Sequence, residues 1–459
     1  MPQPRTAVID VVGLSRSLIS AENTPNIDKF ARQNGGIRSF TPTFPAVTCS
    51  AQSTYVTGKT PADHGIVGNG WYHRELCEVQ FWKQPDQIVH GSKIWHHLRK
   101  RRPNATTAKV FWWYNMYSDV EFSMTPRPMY PADGRKVFDI YTQPADIRFD
   151  IQKPDQLGPF PFFNFWGPKA GLPSSRWIAD SAMWLEERQS PTLSLVYLPH
   201  LDYPLQKVGP DHESIPTELR AIDQIVGDLI NYYASRSVNV QIVSEYGIEA
   251  VDKPIHINRL LRTRGWLTVK DELGLELLDA GASRAFAVSD HQFAHVYLND
   301  ASLTSTVRDA LGELDGVAQV LTPEELGWHE DTPAFQRAGD LITIAAPAAW
   351  FTYYYWLDDA KAPDFARTID IHRKPGYDPA ELFVDPKINL PALKIAKFLA
   401  KKKLGLRGLL DLIPLDATLV KGSHGRLDVP EAHQPVFIGE HSENVTKDTD
   451  VHPTILASL

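Results

Sequence analysis

Phe44-Pro45-Ala46-Val47-Thr48-Cys49 is followed by Thr57-Gly58 and then by His64-Gly65-Ile66-Val67-Gly68-Asn69. This stretch places a hydroxyl, Thr48, at the predicted start of a helix and an amide, Asn69, on a Gly-rich loop. Upstream, the apolar run Ala7-Val8-Ile9 ends in Asp10. A strand that delivers a carboxylate at its end, followed by a hydroxyl on a helix N-terminus, is the pattern of an α/β protein acting on an anion. The helix N-terminus favours negative charge. A carboxylate beside it can hold a divalent metal, and a metal can turn a threonine hydroxyl into a nucleophile.

Further along, Lys109–Trp113, Leu193–Leu198 and Val238–Ser244 read as buried strands. Their apolar, β-branched content predicts a parallel sheet covered on both faces. Such sheets gather ligands at the carboxyl ends of their strands. Asp10 and the residues after Leu198 and Ser244 all fall at such ends.

Beyond residue 253 the pattern changes. Ala285–Val288 and Ala294–Leu298 flank Ser289-Asp290-His291-Gln292 and predict a hairpin. A helix over Leu303–Leu314 and strands over Val317–Leu321 and Asp340–Ala346 follow. The expected organisation is a core of residues 1–253 and 415–459 with an inserted α+β unit of residues 254–414. At 459 residues the chain is long enough for both.

The motifs resemble those of the alkaline phosphatase superfamily, and within it the nucleotide pyrophosphatase/phosphodiesterase branch and phosphonoacetate hydrolase. Thr57, Gly58, Pro61, His64, Gly65, Ile66 and Asn69 match the motif residue by residue, while Val11 and Val12 stand where the family has glycine after the aspartate. The resemblance implies an alkaline-phosphatase-like, mostly parallel central sheet flanked by helices, with a smaller cap. It implies Thr48 as nucleophile, Asn69 as the group that steadies a phosphoryl oxygen, and Asp10 and Thr48 as metal ligands.

The remaining ligand positions fall on Asp202, Gln206, Glu245, Tyr246 and His424. Of these, Gln206 replaces a histidine four residues after the aspartate. Glu245-Tyr246 replaces an Asp-His pair. Gly422-Ser423-His424-Gly425 matches the late histidine motif. The expected cofactor is one or two divalent metals, zinc by resemblance. Oxygen donors in place of imidazole shift the preference toward manganese, magnesium, calcium or iron. A tyrosinate ligand at Tyr246 requires its pKa to be lowered from about 10.

Other segments have two readings. Asp290-His291 is either an ordinary turn or a donation from the cap into the cleft. His372, Arg373 and Lys374 lie in a solvated loop or contact substrate phosphate. The aromatic stretch through Phe160–Trp166 either pins a surface excursion or walls a leaving-group site, and aromatic burial alone favours the first. Cys49 reads as a small buried residue and not a nucleophile.

The net charge of −8 argues against binding a nucleic-acid polymer, and a small phosphorylated substrate is the expected partner. Two cysteines give no disulfide framework. The N-terminus lacks a signal-like apolar run, so a cytoplasmic location is expected, without a membrane span. The expected reaction is hydrolysis of a phosphodiester or pyrophosphate bond. The alternatives are a degenerate member that binds a phosphorylated ligand without turnover, and a biosynthetic phosphomonoesterase or phosphonate hydrolase.

Overall fold

The structure is a computed structural model and describes residues 3–459. An eight-stranded mixed sheet forms its centre, in the order Arg38–Ser39, Val436–Ile438, Asn239–Val243, Thr6–Val11, Leu193–Leu198, Thr107–Val110, Phe122–Pro126 and Ile140–Gln143. The five strands from Asn239–Val243 to Phe122–Pro126 run parallel; the outer pairings are antiparallel. All residues of Thr6–Val11 and Leu193–Leu198 are buried. Their near-continuous apolar character is what a parallel strand covered on both faces requires.

Three of the anticipated strands form within one residue of their expected ends. The fourth ends early, at Val110. Phe111 turns into the left-handed region (φ 61). The Asn115 amide then donates to the carbonyls of Lys109, Trp112 and Met124. That side chain takes over bonds that a continued strand would make, so Phe111–Trp113 becomes a turn at the sheet edge.

The helix Thr48–Thr57 is buried along its whole length. It stops at Gly58, whose φ of 66 is the left-handed C-terminal cap that glycine adopts without strain. The expected hairpin is present as Ala285–Asp290 and Phe293–Leu298, with His291 at φ 61 in its two-residue turn. It joins Leu341–Ala345 and Val317–Leu321 in a four-stranded antiparallel sheet. Among the described residues no helix is long and apolar enough to cross a membrane.

Candidate active site

The parallel strands end on one edge, and the helix Thr48–Thr57 starts there. The Thr48 hydroxyl donates to Glu245 Oε2 at 2.7 Å. Glu245 lies two residues beyond the strand Asn239–Val243, and Asp10 lies near the end of the neighbouring strand. Gln52, one helical turn after Thr48, spans both carboxylates. Its Nε2 donates to Asp10 Oδ2 at 3.2 Å and to Glu245 Oε1 at 2.6 Å. Its Oε1 accepts from the Trp113 amide at 2.7 Å. Asp10 Oδ1 is buried and has no protein partner.

On the other side of Thr48, the Tyr246 hydroxyl lies 3.2 Å from the Thr48 hydroxyl and donates to Asp202 Oδ1 at 3.1 Å. Gln206 Nε2 donates to the other Asp202 oxygen at 2.7 Å, and Gln206 Oε1 accepts from Tyr377 at 3.0 Å. His424 approaches over this group. A Cβ on Gly422 would stand 2.1 Å from the Leu205 carbonyl, so the close pass that brings His424 to the Asp202 helix requires glycine. His424 Nδ1 donates to the Ala46 carbonyl at 2.8 Å, which leaves Nε2 as the bare acceptor. That atom is buried without a hydrogen-bond partner, 3.9 Å from Asp202 Oδ1.

The hairpin turn of the four-stranded sheet contributes directly. Asp290 accepts the Asn69 amide N–H at 2.7 Å and its side-chain N–H at 3.2 Å, and His291 Nδ1 lies 2.7 Å from Asp290. Asn69 Oδ1 accepts from the Cys49 amide at 3.1 Å. One Asn69 side-chain N–H therefore remains for a ligand. The His291 ring lies between Tyr377 and His424, with centroids 3.8 and 3.9 Å away, and Tyr246 stacks on the far face of His424 at 3.5 Å. Of the two readings of Asp290-His291, the geometry is that of a cleft contribution.

The electrostatics follow from burial. Desolvation, then the Glu245 charge, pushes Asp10 well above the usual carboxyl range. Desolvation raises Glu245 to about 7, and Asp202 and Asp290 to about 6. No lysine or arginine lines the pocket around Thr48, Asn69, Asp202 and His291. Four buried carboxyl groups without a basic neighbour would repel a phosphate.

These observations bear on a metal. Asp10 Oδ1 and His424 Nε2 are open acceptors in an acidic pocket, and the Ala46 carbonyl fixes His424 in the tautomer a ligand needs. Asp10 and Glu245 beside Thr48 supply the oxygen donors that hard cations prefer. Gln206 and Tyr246 do not fit as ligands. Both Gln206 atoms are committed to hydrogen bonds. Burial and the Asp202 charge push the Tyr246 hydroxyl well above 10, the opposite of what a tyrosinate ligand needs. Among the described residues no group of three or more His, Cys, Asp or Glu side chains is gathered as a metal cluster. The residues therefore fit an oxygen-bound cation at Asp10 and Glu245 better than a pair of zinc ions.

The three expected phosphate contacts lie elsewhere. Lys374 is buried and paired with Asp378 at 2.6 Å and Glu381 at 2.7 Å. Arg373 is on the surface with Asp364. His372 sits 3.3 Å from the Phe81 carbonyl and lines an adjoining aromatic cavity. Their carboxylate partners, and their absence from the lining of the Thr48 pocket, remove the first two from phosphate binding. Conversely, Gln52 and Tyr377 escape the motif reading. Gln52 lies four residues after Thr48, hence on the same helix face, and that spacing could have marked it. Tyr377 carries no sequence signal.

The family model that the chain matches lies in the alkaline phosphatase superfamily, and the parallel sheet with a helix-borne threonine among strand-end carboxylates agrees with it. The chain belongs to the type I phosphodiesterase / nucleotide pyrophosphatase family, whose model matches residues 6–378. An uncharacterised pyrophosphatase/phosphodiesterase of Schizosaccharomyces pombe is 26% identical over 273 residues, 56% of this chain and 47% of that protein. Ectonucleotide pyrophosphatase/phosphodiesterase 1 of Saccharomyces cerevisiae is 26% identical over 278 residues, 55% of this chain and 35% of that protein. The matched regions thus span less than half the length of either relative.

Among solved structures, phosphonoacetate hydrolase of Sinorhizobium meliloti with phosphonoformate has a TM-score of 0.61 at 14% identity, covering 100% of this chain and 96% of that one. Murine ectonucleotide pyrophosphatase/phosphodiesterase 5, in an inactive threonine-to-alanine form with AMP, has a TM-score of 0.58 at 15% identity, covering 99% and 95%. At these identities the likeness is one of fold.

Proposed function

We propose that the chain hydrolyses a phosphodiester or pyrophosphate bond with Thr48 as nucleophile. The observation that carries this reading is the 2.7 Å hydrogen bond from the Thr48 hydroxyl to Glu245 at the start of a buried helix. A nucleophile needs an adjacent acceptor for its proton, and Glu245 Oε2 already accepts from the Thr48 hydroxyl. The inactive threonine-to-alanine relative with AMP supports the same reading.

Glu245 Oε2 receives the Thr48 proton as the oxygen attacks phosphorus. Gln52 holds Asp10 and Glu245 together and fixes the carboxylate that faces Thr48. The free Asn69 N–H meets a nonbridging phosphoryl oxygen, and Asp290 orients it. His291, held by Asp290, faces the pocket, and burial keeps its ring neutral, so it orders the pocket wall and is not a proton donor. Asp10 and Glu245 would hold a divalent cation, with Asp202 and His424 as the neighbouring acceptors. Such a cation supplies charge neutralisation for the phosphate and a lower pKa for the Thr48 hydroxyl. Manganese, magnesium and calcium suit the donor set better than zinc.

The test is turnover of bis-p-nitrophenyl phosphate by the purified chain with Mg, Mn, Ca, Fe or Zn, beside Thr48→Ala and elemental analysis of the same samples. Thr48-dependent release that requires a cation is the expected result. A bound phosphorylated ligand without turnover under any ion would favour a binding protein.

A further inference from the structure

The helix Pro391–Lys403 has no buried residue. Ala392, Leu393, Ala396, Leu399 and Ala400 are exposed, and their spacing puts them on one outward face. The inward side is held by the stretch that follows. Lys394 Nζ pairs with Asp411 at 2.9 Å and donates to its carbonyl at 2.7 Å. Phe398 lies over Gly408, where an added Cβ would meet its ring at 3.5 Å. A helix that only meets water turns its leucines inward and its lysines outward. Here Lys394 is tied to Asp411 and the leucines face out. Leu393 and Leu399 on the helix, and Leu404, Leu406 and Leu409 in the return stretch, are each at least 52% exposed. Exposed apolar residues scattered singly are ordinary, but five leucines on one helix and its return are a patch.

The charge of this segment is opposite to that of the chain. Between Pro391 and Leu410 stand Lys394, Lys397, Lys401, Lys402, Lys403 and Arg407 and no acidic residue, in a chain of net charge −8. Lysine stems lie along apolar surface while their ammonium groups stay among polar ones. A second group of the same character adjoins. The Arg407 guanidinium lies 3.9 Å from where a Cβ on Gly134 would stand. The loop around Gly134 carries Tyr130, which is 57% exposed, and Lys136, whose Nζ sits 5.9 Å over the Tyr130 ring.

The chemistry selects the occupant. A second copy of the chain would set this basic cluster against itself. A nucleic-acid polymer would take the charge and leave the leucines in water. A protein groove takes one apolar stripe of a helix, whereas here the return stretch and the Tyr130 loop add to the surface. Leucines, interspersed lysines and a tyrosine match the headgroup layer of an anionic bilayer. We propose that Pro391–Leu409, with the Tyr130 loop, docks the chain on an anionic lipid surface and lies in the interface without crossing it. This stands independently of the chemistry at Thr48.

The test is cosedimentation of the full-length chain with vesicles of phosphatidylcholine alone, or of equal parts phosphatidylcholine and phosphatidylglycerol. Binding to the anionic vesicles should be at least about tenfold tighter than to the neutral ones, and high salt should remove most of that difference. Lys402→Gln with Lys403→Gln should weaken it about tenfold or more. Leu393→Gln with Leu399→Gln should also weaken it about tenfold, and Tyr130→Ser about threefold. All five side chains are exposed, and unchanged thermal unfolding of the variants checks that the fold is kept. Binding that ignores lipid charge, or that either apolar variant leaves unchanged, overturns the proposal. So does a chain that leaves anionic vesicles unbound, whether it is then monomeric or pairs through this face in solution.

Discussion

The two sides of Thr48 are similarly acidic and differ in what their hydrogen bonds leave over. On one side, Gln52 ties Asp10 to Glu245, and Asp10 Oδ1 remains an open acceptor. On the other, each Asp202 oxygen accepts one hydrogen bond, from Gln206 or Tyr246, Gln206 accepts in turn from Tyr377, and the atom left without a partner is His424 Nε2. Both sides derive from the same family positions. Residue identity alone would have made ligands of both. The balance of donors and acceptors separates them: Asp10 keeps an oxygen that accepts no hydrogen bond, whereas each Asp202 oxygen already accepts one.

The largest effect expected is at the residue both sides share. Thr48→Ala should reduce kcat by about 10³-fold or more, measured on any substrate the wild type turns over. Substitutions on the two sides then separate. On the open side, Glu245→Gln removes the proton acceptor and should cost about 10²- to 10³-fold in kcat/KM. On the closed side, Tyr246→Phe should stay within about tenfold, with bound metal unchanged, because its hydroxyl orders Asp202 and is no ligand. Equal losses from both, with equal loss of metal by elemental analysis, would erase the distinction. Asp290→Asn should fall between them, at about tenfold to 10²-fold in kcat, since it loosens Asn69 and His291 without touching Thr48.

A smaller effect is expected beneath the helix Thr48–Thr57. His64 accepts the Ile66 amide and sits 3.1 Å from the Thr54 hydroxyl. Burial, then Arg337, lowers its pKa from 6.5 to about 3. Between those values the unfolded chain binds the extra proton, so this contribution to stability is present above about pH 6.5 and is lost as pH falls toward 3. The stability advantage of wild type over His64→Gln should shrink by about 1.4 kcal/mol per pH unit in that window. Denaturant unfolding at pH 7 and pH 5 reads it, and a constant advantage would show that His64 is charged in the folded state.

How much of this was legible in the sequence depended on how local each signal is. Asp10, Thr48, Asn69, Asp202 and His424 sit in short motifs at strand ends or on their loops, and the alternation of apolar runs and polar ends was enough to predict the parallel sheet. The bonding state of Gln206 was not legible, because Tyr377 reaches it from 171 residues away. The direction of the Tyr246 shift was not legible either, because it depends on burial beside Asp202. Lys374 was misread for a different reason. Asp378, four residues on, was visible as a partner, but a polar loop gives no sign that it folds inward. Phe165 and Trp166 pack with other aromatics and also line the pocket at Thr48, and a run of aromatics looks the same in sequence in either role.

The most direct test is to quench the enzyme during turnover of bis-p-nitrophenyl phosphate and map its peptides by mass spectrometry. A p-nitrophenylphosphoryl adduct on Thr48, gained in wild type and absent in Thr48→Ala, is the predicted result. Full turnover in Thr48→Ala, or an adduct on any other residue, would contradict it.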